Sequence, residues 1–132
     1  MADGLSDKAA IVGIGSTEFS KNSGRSEMQL AVEAVTMALD DAGLSPKDVD
    51  GMSVFTMETN PEIEVFRLIG GHELKFFSRV HYGGGAGCGT ILHAAMAIAT
   101  GVADVVVCYR AMNERSGHRF GTGVQDLAPN PS

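Results

Sequence analysis

Between Phe76 and Thr100 the sequence changes character twice. A β-rich run, Phe76-Phe77-Ser78-Arg79-Val80-His81-Tyr82, meets a glycine cluster, Gly83-Gly84-Gly85-Ala86-Gly87-Cys88-Gly89. The cluster opens a helix, Gly85 to Thr100, that carries Ile91, Leu92, Ala94, Ala95, Met96, Ala97, Ile98 and Ala99. This helix has no polar stripe. A helix that is apolar or small nearly all round is buried on more than one side. The chain therefore has to place one layer beneath it and expects a second layer above.

The remaining segments read as the lower layer. Ala9-Ala10-Ile11-Val12-Gly13-Ile14-Gly15 is a short β-rich run closed by glycine and predicts a buried strand. Its Gly13-Ile14-Gly15 lacks the third glycine of a dinucleotide fingerprint, and the next helix begins too late, so a tight turn is the better account. Residues 20–26 form a polar loop. A helix is predicted from Ser26 to Ala42, capped by Ser26, with Glu27 in its first turn and Gly43 ending it. Met28, Ala31, Val32, Val35, Leu39 and Ala42 form its apolar stripe. A turn over 44–51 leads to a strand, Met52 to Thr56. A shorter helix, Pro61 to Ile69, starts at a proline and stops at Gly70-Gly71. After the strand at 76–82 and the apolar helix, Asp104 to Tyr109 reads as a strand buried on both faces. Residues 110–132 are polar loop and tail. The order β-α-β-α-β-α-β implies an α/β layered sheet with right-handed crossovers.

Composition limits the partners. Lys and Arg total 10 against 16 Asp and Glu, a net charge of −6, and no basic stripe is present. Nucleic acid and anionic membrane surfaces are therefore excluded as expected partners. No apolar run approaches the ~20 residues of a membrane span, and the first residues lack the pattern of a secretory signal. The two cysteines, Cys88 and Cys108, lie in alanine-rich apolar sequence, which fits reduced thiols in a cytoplasmic protein.

The glycine cluster is the place where chemistry can enter. Successive backbone N–H groups at a helix N-terminus can hold an anion or polarise a carbonyl oxygen. Close packing of helix on strand, where side chains do not fit, accounts for the glycines equally well. Cys88 is either a thiol activated by the helix dipole or a small core residue. The four histidines are scattered without ligand spacing, so no metal site is expected. Glu62 and Glu64 cannot face one another on a helix and read as solvated.

Arg79 to Gly89, followed by His93 to Val107, resembles the nucleophile-helix segment of the thiolase superfamily. The run Ala9 to Ser20, the stretch Ala38-Leu39-Asp40-Asp41-Ala42-Gly43-Leu44 and Val49-Asp50-Gly51 are similar to the opening of the same fold. Phe19 to Ser26, His81 to Ala86 and Tyr109 to Gly117 resemble most closely the sterol-carrier or lipid-transfer-protein branch, and within it the actinobacterial aldolases of steroid side-chain degradation. The resemblance covers about residues 8–121 as one thiolase-like half-domain (1–121), with 122–132 as an irregular tail. It implies the N-terminal half of the fold, a mixed sheet flanked by helices.

Counted back from Ala99-Thr100-Gly101, the position that holds the nucleophilic cysteine in acyl-transferring thiolases is Gly84. Cys88 lies one turn further into the helix. Acyl-enzyme chemistry needs a nucleophile at that place, so the resemblance implies a retro-aldolase instead. Such an enzyme cleaves a β-hydroxyacyl-CoA steroid side chain to a steroid ketone and propionyl-CoA. His81, Tyr82, Gly83, Gly84, Gly85 and Cys88 are then the expected substrate-binding residues. The general acid and base are expected in the second half of the fold, so no catalytic residue is assigned to this chain. No cofactor is implied beyond coenzyme A carried by the substrate. A homodimer through residues 76–82 and a small OB-fold partner protein associated with acyl-CoA are the implied assembly. A non-catalytic acyl-CoA or lipid-binding module is the alternative, and a Cys88-dependent acyltransferase is the remaining one.

Overall fold

A computed structural model describes residues 4–56, 58–81 and 84–116. The elements are α1 (Glu27–Ala42), a single 3-10 turn (Pro46–Asp48), β1 (Gly51–Phe55), α2 (Glu62–Ile69), β2 (Phe76–Val80), α3 (Ala86–Ala99) and β3 (Val106–Cys108). The strands form one sheet in the order β2-β1-β3. Both pairings are parallel, with Gly51 opposite Phe76 and Val106, and Ser53 opposite Ser78 and Cys108. The expected mixed sheet is therefore parallel among the described residues.

Local chemistry explains most boundaries. Ser26 caps α1 in a reciprocal box: its hydroxyl accepts the Gln29 N–H at 3.1 Å, and the Gln29 side chain accepts the Ser26 N–H at 2.9 Å. Gly43 ends the helix at φ 68°, a left-handed conformation that costs glycine nothing. From the central strand, Met52 and Val54 project into a core with Leu30, Ala31, Val35 and Leu39 of α1 and Val65, Phe66 and Ile69 of α2. Full burial of each large apolar side chain stabilises the fold by ~1.5–3 kcal/mol.

The opposite face of the sheet carries α3. Ser53, Ser78 and Cys108 lie in one cross-strand row beneath it, with Ser78 paired to His93 at 2.5 Å and the Cys108 thiol donating to the Thr90 carbonyl at 3.6 Å. Burial raises the Cys108 thiol pKa, and the contact with Thr90 opposes that rise. Ala86, Thr90, Ala94 and Ala97 are the α3 residues turned into the sheet. Small side chains there let the helix axis approach closely. Ile91, Leu92 and Met96 point away and remain 45%, 51% and 40% exposed. One face of the apolar helix is thus covered by the sheet, and the other is uncovered among the described residues.

Asp50 fastens the amino ends of the strands. Its buried carboxylate accepts the N–H groups of Asp104 (3.0 Å) and Val105 (2.9 Å), and its carbonyl accepts those of Lys75 (2.8 Å) and Phe76 (3.1 Å).

Two strand expectations change. Residues 9–15 form no strand and pair with none among the described residues. They run along α1, where the Ile14 N–H donates to Asp41 Oδ2 at 2.9 Å. A Cβ at Gly13 or Gly15 would lie 2.2 Å from the Ala38 or Ala34 carbonyl oxygen. These glycines therefore serve close approach to a helix rather than a tight turn, while Ile11, Val12 and Ile14 are exposed. The second change is β3, which spans only Val106–Cys108 and is half-buried at the sheet edge, not buried on both faces. Glu62 is also not solvated, because it accepts from Arg79 Nε at 3.0 Å.

The uncovered face of α3 should govern how the isolated chain behaves. The chain is expected to bind a hydrophobic dye strongly. Replacing Leu92 and Met96 together with glutamate should remove most of that binding, and each replacement should shift stability by no more than ~0.5 kcal/mol in urea unfolding. Dye binding unchanged by the double substitution would show that the surface lies elsewhere.

Candidate functional site

Parallel pairing sends the chain out of all three strands at the same edge. In open parallel α/β sheets ligands bind in the crevice outside the carboxyl ends of the strands. That edge here gathers Thr56 and Glu58 to Asn60 after β1, His81 after β2, Gly84 to Cys88 at the start of α3, and Tyr109 to Asn113 after β3.

Thr56 fixes the exit of β2. Its N–H and its hydroxyl both donate to the Val80 carbonyl, at 2.9 and 2.8 Å. The same hydroxyl oxygen lies 3.4 Å from Nδ1 of His81, which is thereby held at the rim. Beyond it the chain turns into α3 through Gly84 and Gly85, with the Gly87 N–H donating to the Gly84 carbonyl at 3.3 Å. Gly85 occupies the cap position, and among the described residues no side chain caps the helix there. The positive end of the α3 dipole faces the edge.

The glycines differ in what surrounds them. Among the described residues a Cβ at Gly84, Gly85 or Gly87 would meet nothing within 4 Å, whereas one at Gly89 would come 3.1 Å from the Val80 side chain. Close packing explains Gly89; Gly84 and Gly85 border open space. Cys88 is exposed among the described residues, as are Ile91 and Leu92 of the same helix. Of the expected binding residues, His81, Gly84, Gly85 and Cys88 are on this edge, and Tyr82 and Gly83 lie outside the described residues.

Several groups at this edge were not singled out in the sequence. Glu58 is 3% exposed. Its Oε1 accepts the Asn60 N–H (3.1 Å) and side-chain amide (2.5 Å), and its Oε2 accepts the Ala111 N–H (2.7 Å). Its carbonyl accepts from Arg79 Nη1 at 2.6 Å. The Tyr109 hydroxyl donates to the Asn60 carbonyl at 3.0 Å. Burial raises the Tyr109 pKa well above the usual phenol value; the nearby Glu58 and Glu62 add to the rise and Arg79 opposes it. The phenol thus stays a donor throughout the physiological range. Behind this knot Glu27 accepts the Asn113 N–H at 3.1 Å and the Thr59 hydroxyl. The Arg110 guanidinium stacks 4.8 Å above the Phe55 ring.

A hollow of about 530 Å³ opens between residues 15–20 and 110–116; it shares Arg110 to Asn113 with this edge and includes none of His81, Gly84, Gly85 and Cys88. Among the described residues no cluster of three His, Cys, Asp or Glu is placed to hold a metal, and no helix is long and apolar enough to cross a membrane.

No protein-family model matches the chain. It is 72% identical over 117 residues to 17-hydroxy-3-oxo-4-pregnene-20-carboxyl-CoA lyase of Mycobacterium tuberculosis, a match that covers 89% of this chain and 30% of that one. Among solved structures it is similar to an Ltp2-ChsH2(DUF35) aldolase, with 70% identity and a TM-score of 0.80, covering 82% of this chain and 28% of the other. A monomeric SCP2-thiolase like protein type 1 from Mycobacterium smegmatis follows at 27% identity and a TM-score of 0.62, covering 74% and 22%. The chain thus spans about 30% of the length of the curated relatives it matches. Over that stretch it is a close homologue of steroid side-chain-cleaving aldolases, and its fold is thiolase-like.

The open space at Gly84 has a measurable consequence. Gly84→Val should change the unfolding free energy of the chain by no more than ~0.5 kcal/mol. Gly51→Val should cost about 1–3 kcal/mol, because a Cβ there meets the Val106 side chain at 2.8 Å and the Phe76 ring at 3.3 Å. Equal losses in urea unfolding would contradict the open edge.

Proposed function

We propose that this chain forms the glycine-turn part of a thiolase-fold aldolase that cleaves a β-hydroxyacyl-CoA steroid side chain. The observation that carries the reading is Gly84. Where acyl-transferring thiolases hold a cysteine, this chain presents no side chain and, among the described residues, open space at the start of α3. Without a nucleophile no acyl-enzyme forms, yet room remains for a thioester beside the N-terminal end of a helix.

Retro-aldol cleavage fits that arrangement. In the substrate named for the relative, the 17-hydroxyl is β to the thioester carbonyl on the 20-carboxyl-CoA. A base removes the hydroxyl proton, the new carbonyl forms as the bond between the α and β carbons breaks, and the electron pair moves into a thioester enolate. Protonation of the enolate at its α carbon completes propionyl-CoA. The α3 dipole and the N–H groups of its first turn would stabilise the enolate oxygen as its charge develops. His81, Tyr82, Gly83, Gly85 and Cys88 would border the same thioester. The acid and base belong to the rest of the fold, which would also cover Ile91, Leu92 and Met96. The reading needs no cofactor other than the coenzyme A of the substrate.

The partner proteins follow the same logic. A DUF35 protein, expected to carry an OB-fold, would associate with the assembled enzyme, as the name of the Ltp2-ChsH2 complex suggests. A homodimer would pair residues 76–82 across a two-fold axis. The edge position of β2 and the 70% exposure of Phe77 support this pairing. The two cysteines, which form no disulfide, suit a cytoplasmic setting.

The test is a chimera in which this chain replaces the matched stretch of the Mycobacterium tuberculosis lyase, assayed with and without a DUF35 partner. It is expected to release propionyl-CoA from 17-hydroxy-3-oxo-4-pregnene-20-carboxyl-CoA, to keep that activity as Cys88→Ala, and to lose it as Gly84→Val. Loss of activity in Cys88→Ala would favour thiol chemistry. A folded chimera that binds the substrate without cleaving it would leave the acyl-CoA-binding reading.

A further inference from the structure

We propose that Glu58 is a positioning residue for this site, a role that rests on the aldolase reading above. β1 carries a buried carboxylate just beyond each end. Asp50 gathers the amino ends of the strands, and Glu58 gathers their exits. The contacts of Glu58 reach the exits of β1 and β3 and the last stretch of pairing in β2. Its N–H donates to the Phe55 carbonyl at 2.9 Å, within the exit of β1. Its carbonyl accepts from Arg79 of β2, two residues before His81 and five before Gly84. Its carboxylate holds Ala111, beyond β3, and Asn60, which leads into α2. The Asn60 carbonyl in turn takes the Tyr109 hydroxyl.

The ladder still joins β1 to β2 at Phe55 and Val80, but Asn60 and Ala111 lie past the last paired residues. The placement of those two segments therefore depends on side chains; the Glu58 carboxylate holds both, and its carbonyl ties them to Arg79 within β2. It meets no reacting atom in this account. It acts by fixing the loops that frame the glycine turn, so the thioester meets the turn in one orientation. Misplacement of reacting groups by about 1 Å can cost on the order of 10²-fold in rate.

Glu58→Gln keeps the size of the side chain and breaks the pattern. In either amide orientation its NH₂ faces an N–H donor, of Asn60 or of Ala111. Asp50→Asn makes the same chemical change at the opposite edge and serves as the control. Both are made in the chimera. With Glu58→Gln, kcat for propionyl-CoA release should fall on the order of 10²-fold, with KM changed by less than about threefold. With Asp50→Asn, the unfolding midpoint should fall while kcat of the folded enzyme stays within about twofold. A Glu58→Gln enzyme with unchanged kcat overturns the proposal, as does an Asp50→Asn enzyme that loses kcat equally. If Glu58→Gln does not accumulate in folded form, Tyr109→Phe carries the test, since it removes only the hydroxyl that anchors Asn60. Its kcat should fall several-fold with KM held, and an unchanged kcat overturns the proposal. A chimera without turnover when Glu58 is intact removes the aldolase reading, and the positioning role with it.

Discussion

The parallel pairing of β1 with both of its neighbours is the constraint on which the rest depends. Parallel strands cannot be joined by hairpins, so each connection must cross over the sheet, and α2 and α3 are those crossovers. The same pairing makes the two edges of the sheet chemically unlike. At the amino edge the chain arrives and Asp50 binds the incoming backbone. At the carboxyl edge the chain leaves, and the exits need partners that the ladder does not supply. Glu58, Asn60, Thr56 and Tyr109 provide them. Gly84 and Gly85, which lead into α3 at this edge, border open space among the described residues.

The helix that follows shows the same economy. Its sheet-facing residues are alanines and a threonine, which allow close approach. Its outward residues are Ile91, Leu92 and Met96, which bury nothing among the described residues. A surface helix would carry charge there. An apolar outer face suits a middle layer, and a middle layer excludes water from whatever binds at the N-terminus. Electrostatic stabilisation by N–H groups and a helix dipole gains most where water is excluded.

Much of this was legible in the sequence, and what was not has physical reasons. The Ser26 cap, the Gly43 stop, the strand at β1 and the glycine entry to α3 depend on local chemistry, and each stands within a residue or two of its expected position. Ala9 to Gly15 misled because alternating glycine and isoleucine has the period of a strand. The inward side packs on α1, which supplies no ladder, and tertiary context overrode propensity. Asp104 to Tyr109 reads as a strand buried on both faces, but the burial of a strand depends on what lies beside it, and β3 is at an edge among the described residues. Glu58 and Glu62 were the hardest to read. An acid in a polar loop or a helix first turn is ordinarily solvated. Only the return of Arg79 and Ala111, 21 and 53 residues later, makes them structural.

The central claim is that the carboxyl edge of this sheet receives the acyl-CoA. Hydrogen–deuterium exchange of the chimera, with and without an uncleavable 17-deoxy analogue of the substrate, tests it most directly. The account predicts added protection in peptides spanning residues 56–60, 81–88 and 109–113, with those around Asp50 and residues 103–105 unchanged. Protection confined to the amino edge, or to residues 15–20 and 110–116 around the hollow with 56–60 and 81–88 unchanged, would contradict it.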